Sequence, residues 1–169
     1  MEIREAIYNR RSVRKFTQKE VDDSKIKKLL EDAMAAPSAC NKKPWEFYVI
    51  KNKELQNEIK KKIMFCNYNS PLLIVVCGNK NNALTKEDND YWIQDASAAI
   101  ENILLSALSF DLGTCWCGLY PMIKRSDRVK NILNLKDNII PLGVIHIGYP
   151  EKEIEGRTQY DETKVHYID

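Results

Sequence analysis

Histidine is nearly missing from this sequence: 169 residues contain two, His146 and His166. A hydrolase built on a Ser–His or Cys–His couple, or a zinc centre of mixed Cys/His type, has little to draw on. His146 sits in a strand-like run, residues 139–149, where a core imidazole with satisfied nitrogens is expected. Glycine is also sparse, at six, and no G-x-G-x-x-G occurs, so the Rossmann fingerprint is absent. Gly113–Gly118 has the spacing that opens a phosphate-binding loop, but Leu119 and Tyr120 stand where Lys and Ser/Thr are required. No apolar run approaches the ~18 residues of a membrane span; the longest, Leu72–Cys77, reads as a buried strand. Residues 1–16 lack the apolar centre of a signal peptide. Five cysteines make an odd number and no Asn-x-Ser/Thr acceptor occurs, so a cytoplasmic protein is expected, not a secreted disulfide scaffold. Cys115 and Cys117 have no second Cys pair to complete a metal site and read as structural thiols, so no metal is expected. Charge of one sign is lacking too: 26 Lys+Arg against 24 Asp+Glu leaves +2, which weighs against a nucleic-acid partner.

What is present concentrates near the beginning. Arg10-Arg11-Ser12-Val13-Arg14-Lys15-Phe16 packs four cations and a hydroxyl into seven residues. Arginine can fork onto phosphate or carboxylate oxygens, so the run has the parts of an anion clamp. Val13 and Phe16 pin it to a core. With an extended backbone, Arg10, Ser12 and Arg14 then alternate onto the other side. A small anionic ligand is the expected occupant.

The length fits one domain, residues 1–169, able to bury roughly 70% of the surface its unfolded chain exposes. Residues 2–9 read as a short helix. Asp22 and Asp23 can open a second, whose Ile26, Leu29, Leu30, Ala33 and Met34 follow the helical period, ending by Pro37. A turn-rich loop through Trp45 follows. Residues 46–51 alternate like a strand, and residues 53–65 form a basic amphipathic helix with Leu55, Ile59 and Ile63 inward. Residues 91–110 form a helix apolar most of the way round, which places it at the centre of the core or in a subunit interface. Residues 113–118 and 139–149 read as strands, with a helix at 124–135 between them. The polar tail from Pro150 carries Tyr160, Val165, Tyr167 and Ile168 and needs another surface to lie on.

RRSVRKF, PSACNKKPW at the end of the next helix, GTCWCG after the long Ala-rich helix, and IGYP followed by Arg157 occur in an order and spacing that resemble the nitroreductase family of FMN enzymes across the whole chain. The resemblance implies an α+β fold, a mainly antiparallel sheet flanked by helices, in an intertwined homodimer with FMN at the interface and residues 150–169 lying on the partner. It implies that Arg10, Arg11 and Ser12 address the phosphate and ribityl chain, and that Arg14 stands beside the N1/O2 edge of the ring. Pro37, Ser38, Ala39 and Asn41 would reach the flavin from the other subunit. Gly118 and Leu119 would offer backbone groups to N5/O4, and Arg157 would close on the phosphate. Ala39 replaces a serine found in many members, and Glu155-Gly156 precede Arg157 where larger members carry a second cation.

The implied activity is hydride transfer from NADH or NADPH through flavin N5 to a nitroaromatic, quinone or other conjugated acceptor, with Arg14 stabilising the charge of the reduced ring. No protein acid is assigned. Residues 65–70 and 79–90 are candidate covers of the substrate site. The alternatives are an FMN store or sensor without turnover, a flavin-free protein for a phosphorylated small molecule, and a nucleic-acid adaptor using RRSVRK.

Overall fold

The structure is a computed structural model that describes residues 2–84 and 90–168. The elements follow the order α1 (Ile3–Asn9), α2 (Asp23–Met34), β1 (Trp45–Ile50), α3 (Lys53–Lys62), β2 (Leu72–Asn79), α4 (Tyr91–Ser106), β3 (Gly113–Gly118), α5 (Ile123–Ile132) and β4 (Ile139–Gly148). The four strands form one sheet in the order β1-β2-β4-β3, and every neighbouring pair is antiparallel. The α+β architecture expected from the sequence is therefore present.

β2 occupies the middle because both of its faces are apolar. Leu72, Ile74 and Val76 join Ile26, Leu29, Trp92, Ala96 and Ile100 in one core cluster, under α2 and α4. Leu73, Val75 and Cys77 join Ile59, Ile63 and Val129 in the other, under α3 and α5. Period-two alternation thus supplies both faces of a three-layer arrangement. β2 and β4 slip register between Val76 and Cys77, where Pro141 stands opposite Cys77. Proline cannot donate to a ladder, so the irregularity falls where a donor is missing.

Three helices end earlier than their hydrophobic period suggests. α3 stops at Lys62 instead of Phe65, because Ile63 leaves the helix as its cap and Phe65 adopts φ 62°. This turn directs Cys66 inward, where it is fully buried. After Ser106 the long helix tightens into a 3-10 turn over Ala107–Phe110, and α5 ends at Ile132. Trp45, at the end of the turn-rich loop, is buried.

The Arg10–Phe16 segment is an irregular strap beyond β3. It bridges β3 at Ser12–Thr114 and the end of β4 at Phe16–Pro150, with Val13 N–H donating to Thr114 O at 2.8 Å. A Cβ at Gly113 would collide with Val13, so glycine is what permits this approach. The tail rejoins the same region: Arg157 N–H donates to Tyr8 O at 2.9 Å, and a side chain at Gly156 would strike Asn9.

Candidate functional site

Val13 and Phe16 are buried while Ser12, Arg14 and Lys15 are exposed, so the strap is pinned on one side and presents its polar groups on the other. The cations are not equally free. Arg10 Nε lies 3.4 Å from Glu101 Oε1 on α4; burial raises the Glu101 pKa and the neighbouring Arg10 acts against that rise. Arg11 Nη1 donates to Glu155 O at 2.8 Å, which ties the strap to the tail. The Arg14 guanidinium is held above its usual value, first by the Tyr68 hydroxyl and then by the Cys115 thiol. Arg157 reaches the same corner through its backbone and leaves its side chain exposed.

A cleft of about 640 Å³ opens where Arg10, Arg11, Leu104, Leu108, Ile154 and Gly156 meet. A second, of about 270 Å³, lies along Ser12, Arg14, Lys15, Glu151 and Lys152. The strap separates them, so its cations border both.

β3 contributes a free edge. Thr114 O faces the strap, whereas Leu119 N–H turns the other way and donates to Leu142 O at 2.9 Å. Alternation along a strand therefore points the amide groups of Trp116 and Gly118 away from β4. Gly118 is exposed, and a Cβ added there would meet nothing within 4 Å. Leu119 differs. Its carbonyl accepts from Met122 N–H at 2.9 Å and its side chain is fully buried. Both Leu119 backbone groups are thus used inside the chain, and the available donor is at Gly118.

The loop after α2 is shaped by three non-glycine residues of positive φ, Cys40 (49°), Asn41 (54°) and Lys43 (50°). Asparagine tolerates this region; for the others it costs about 1 kcal/mol each. The compensating contacts are Ala39 N–H to Asp95 Oδ1 at 2.8 Å and Lys43 N–H to Ser38 Oγ at 2.9 Å. Asp95 is buried on α4 and its Oδ2 has no hydrogen-bond partner. Pro37 and Asn41 are exposed, with Ser38 and Ala39 half-buried.

The structure brings Arg10, Arg11, Ser12, Arg14 and Arg157 to the β3 margin with Gly118, and leaves Pro37, Ser38, Ala39 and Asn41 elsewhere. Their loop leads into β1, the opposite margin of the sheet, three strand spacings or about 14 Å away. No hydrogen bond or ion pair joins loop to strap among the described residues. Of the candidate covers, residues 65–70 lie beside the strap: Tyr68 neighbours Arg14, and Asn69 brackets Phe16 through Phe16 N–H to Oδ1 at 2.9 Å and Nδ2–H to Phe16 O at 2.6 Å. The other cover, 79–90, includes residues 85–89, which lie outside the described residues.

Tyr68, Asp95 and Glu101 were not singled out by sequence reasoning. A signal existed for two of them, as Asp95 and Glu101 are the acids of a helix otherwise rich in apolar residues; none existed for Tyr68. His146 is fully buried, as expected of a core histidine, with Nδ1 at 2.7 Å from Ser70 Oγ and Nε2 at 3.1 Å from Cys66 Sγ. Burial, reinforced by the Lys60 charge, lowers its pKa to about 3, so the ring is neutral near pH 7. Contact with Cys115 lowers the Cys117 pKa, but Cys66 and burial outweigh it and push the thiol up to about 12.

A strap of arginines beside the free edge of a four-stranded antiparallel sheet defines the class of protein, and comparison with known proteins supplies the family. The statistical profile of the Nitroreductase family matches residues 7–67 and 67–149. A protein of Archaeoglobus fulgidus, provisionally named NADH dehydrogenase/NAD(P)H nitroreductase, is 36% identical over 165 residues, covering 95% of this chain and 94% of its own. A crystal structure from Parabacteroides distasonis with the same provisional name superposes with a TM-score of 0.92 at 34% identity, covering 99% and 98% of the two chains. An FMN-dependent nitroreductase of Clostridium difficile superposes at 0.85 with 31% identity, covering 97% and 98%. The chain belongs to the nitroreductase family, and is an oxidoreductase of that family.

Proposed function

We propose that this chain is an FMN-dependent oxidoreductase that takes hydride from NADH or NADPH and delivers it to a nitroaromatic, quinone or similar conjugated acceptor in alternating half-reactions. The observation that carries the reading is the convergence of Arg10, Arg11, Arg14 and Arg157 on one sheet margin beside the open Gly118 edge. The similarity to an FMN-dependent nitroreductase supports it. These residues fit FMN by the chemistry of their donors: guanidinium groups for a phosphate of about −1.5 to −2 charge, a hydroxyl at Ser12, and an unpaired strand edge for the polar rim of a ring. When bound, FMN supplies the two-electron carrier that the side chains lack.

In this reading Arg10, Arg11, Ser12 and Arg157 hold the phosphate end. Arg14, a permanent cation with the Tyr68 hydroxyl beside it, places positive charge where negative charge accumulates on reduction. The Gly118 amide orients the ring, while Leu119 backs that edge as packed core. Residues 65–70 wall the site and exclude water. The working unit is a homodimer. Ile3, Ile7, Tyr160, Tyr167 and Ile168 are exposed apolar groups that the chain itself does not cover, and the Pro37, Ser38, Ala39 and Asn41 loop reaches the cofactor of the partner. The tail from residue 150 packs on that partner. Five free cysteines support a reducing, cytoplasmic setting, and among the described residues no helix is long and apolar enough to cross a membrane.

Purified protein should be yellow, and NADH or NADPH should bleach it under nitrogen until an acceptor is added. Charged hydrogen bonds contribute roughly 1.5–3 kcal/mol each, so riboflavin should bind at least ~100-fold more weakly than FMN. Equal affinity for the two would remove the phosphate clamp, and a colour that no nicotinamide bleaches would leave a flavin store.

A further inference from the structure

The flavin reading leaves one group of side chains unused. Cys66 from the turn after α3, Cys117 from β3 and His146 from β4 bring two sulfurs and an imidazole nitrogen to within 4.8 Å of one another. Cys66 Sγ is already 3.1 Å from His146 Nε2. Cys66 and His146 are fully buried, Cys117 half-buried. The remote ring nitrogen, Nδ1, sits 2.7 Å from Ser70 Oγ, and Tyr68 packs edge-on against the ring at 5.0 Å between centroids.

A cluster of this kind could simply be a satisfied polar pocket, with the Cys66 thiol donating to Nε2. Its composition goes further than that role requires. An Nδ1–H that donates to Ser70 leaves the Nε2 lone pair aimed at Cys66, which is the tautomer a metal-binding imidazole needs. A hydroxyl on the remote nitrogen is the outer partner that orients such ligands. Cys117 adds a second sulfur, whose hydrogen bond to Phe65 O is a long 3.6 Å contact.

We propose that Cys66, Cys117 and His146 bind a single thiophilic divalent cation of the zinc type, with solvent in the fourth position. Zinc bonds of about 2.3 Å to sulfur and 2.0–2.1 Å to nitrogen place tetrahedral ligands about 3.6–3.8 Å apart. The pair at 3.1 Å opens slightly, and any pair as wide as 4.8 Å closes by about 1 Å. Binding displaces one proton from each thiol to solvent. Two thiolates then neutralise the ion, so the buried site carries no net charge in either state. The ion clips residues 66–70 to β3 and β4 and so fixes Tyr68 beside Arg14. The site stands on its own geometry and does not depend on the flavin assignment.

The test uses the full chain, stripped with a chelator and held reduced by a phosphine. Zinc(II) is titrated calorimetrically, and cadmium(II) by its thiolate charge-transfer absorption. One ion per chain, about two protons released per ion across buffers of different ionisation enthalpy, and a metal-dependent rise in Tm are expected. Cys117→Ser, at the half-buried ligand, should cut the cadmium band at saturation to about half, because Cys66 still supplies one thiolate, and weaken zinc by more than ~10-fold; Ser70→Ala, which removes the orienting hydroxyl, should weaken it by about 10-fold. Cys40→Ser, at an exposed thiol, should change neither. His146→Gln completes the ligand set, and if it fails to fold, Cys117→Ser and Ser70→Ala decide. A folded protein that binds neither ion, a cadmium band undiminished in Cys117→Ser, or a band diminished in Cys40→Ser overturns the proposal.

Discussion

Arg14 and Arg10 carry similar charges in very different settings. Arg14 has the Tyr68 hydroxyl and two thiols nearby and no carboxylate partner among the described residues, so its charge is available to a ligand. Arg14→Met should make the midpoint potential of bound FMN more negative by on the order of 10–30 mV, since an ion–dipole balance worth ~1 kcal/mol converts to that range for two electrons. It should also weaken reduced FMN more than oxidised. Potentiometric titration of the loaded protein checks this, and an unchanged potential would place Arg14 away from the ring. Arg10, by contrast, shares its guanidinium with Glu101. Glu101→Gln should tighten FMN several-fold by removing a carboxylate that both competes for Arg10 and repels phosphate; fluorescence quenching on titration reads the result. The sequence showed that Arg10 and Arg14 share a face of the strap. It could not show that one is paired, because Glu101 lies 91 residues away on α4 and no local period links them.

At the level of elements, hydrophobic period located every helix and strand, and all but α1, whose Ile3 and Ile7 stay exposed, bury at least one regular face. Boundaries slipped where tertiary contacts overrode period. Ile63 continues the α3 stripe in sequence but leaves the helix, since Phe65 turns the chain to carry Cys66 under the sheet. The Gly118 edge was legible as a glycine-bounded strand, whereas the capture of Leu119 by Leu142 depends on a register that no local pattern encodes. β2 also gives a pH dependence. Burial, followed by the Glu46 charge, pushes the Cys77 thiol well above its usual range, while an unfolded thiol ionises near ~8.5. The folded pKa is raised, so this contribution is intact below the unfolded pKa. Above it the unfolded chain alone releases the proton, and stability falls as pH rises. The slope attributable to one such group is about 1.4 kcal/mol per pH unit. Cys77→Val should therefore flatten the alkaline limb of a stability–pH curve by up to that slope, measured by urea unfolding between pH 8 and about pH 10.5. An unaltered slope would mean that Cys77 is open to solvent. Asp95 acts on a neighbouring element: Asp95→Asn should loosen the Ser38–Lys43 turn, because the Ala39 N–H contact loses its charge, and proteolysis at Lys42 or Lys43 should accelerate.

At the scale of the whole molecule the two sets of flavin-contact candidates lie on opposite margins of one sheet, and among the described residues no hydrogen bond or ion pair joins them. A second copy can supply the missing set, and the uncovered apolar groups of α1 and the tail give it somewhere to sit. Consider one chain carrying Arg10→Ala and Arg14→Ala and another carrying Ser38→Ala and Asn41→Ala. Each alone should dimerise and bind FMN at least ~10-fold more weakly, from the loss of one or more charged or polar contacts per site. If strap and loop meet from different chains, one site of the mixed dimer collects all four defects and the other is intact. Half of the wild-type flavin stoichiometry at wild-type affinity should return, together with half of the nicotinamide-dependent turnover. If strap and loop served one site from the same chain, every site in the mixed dimer would keep a defect and nothing would return. Isolation with two different affinity tags, followed by flavin titration of the heterodimer, separates the outcomes. Sedimentation that showed a monomer at micromolar concentration would overturn the shared site before any substitution was made.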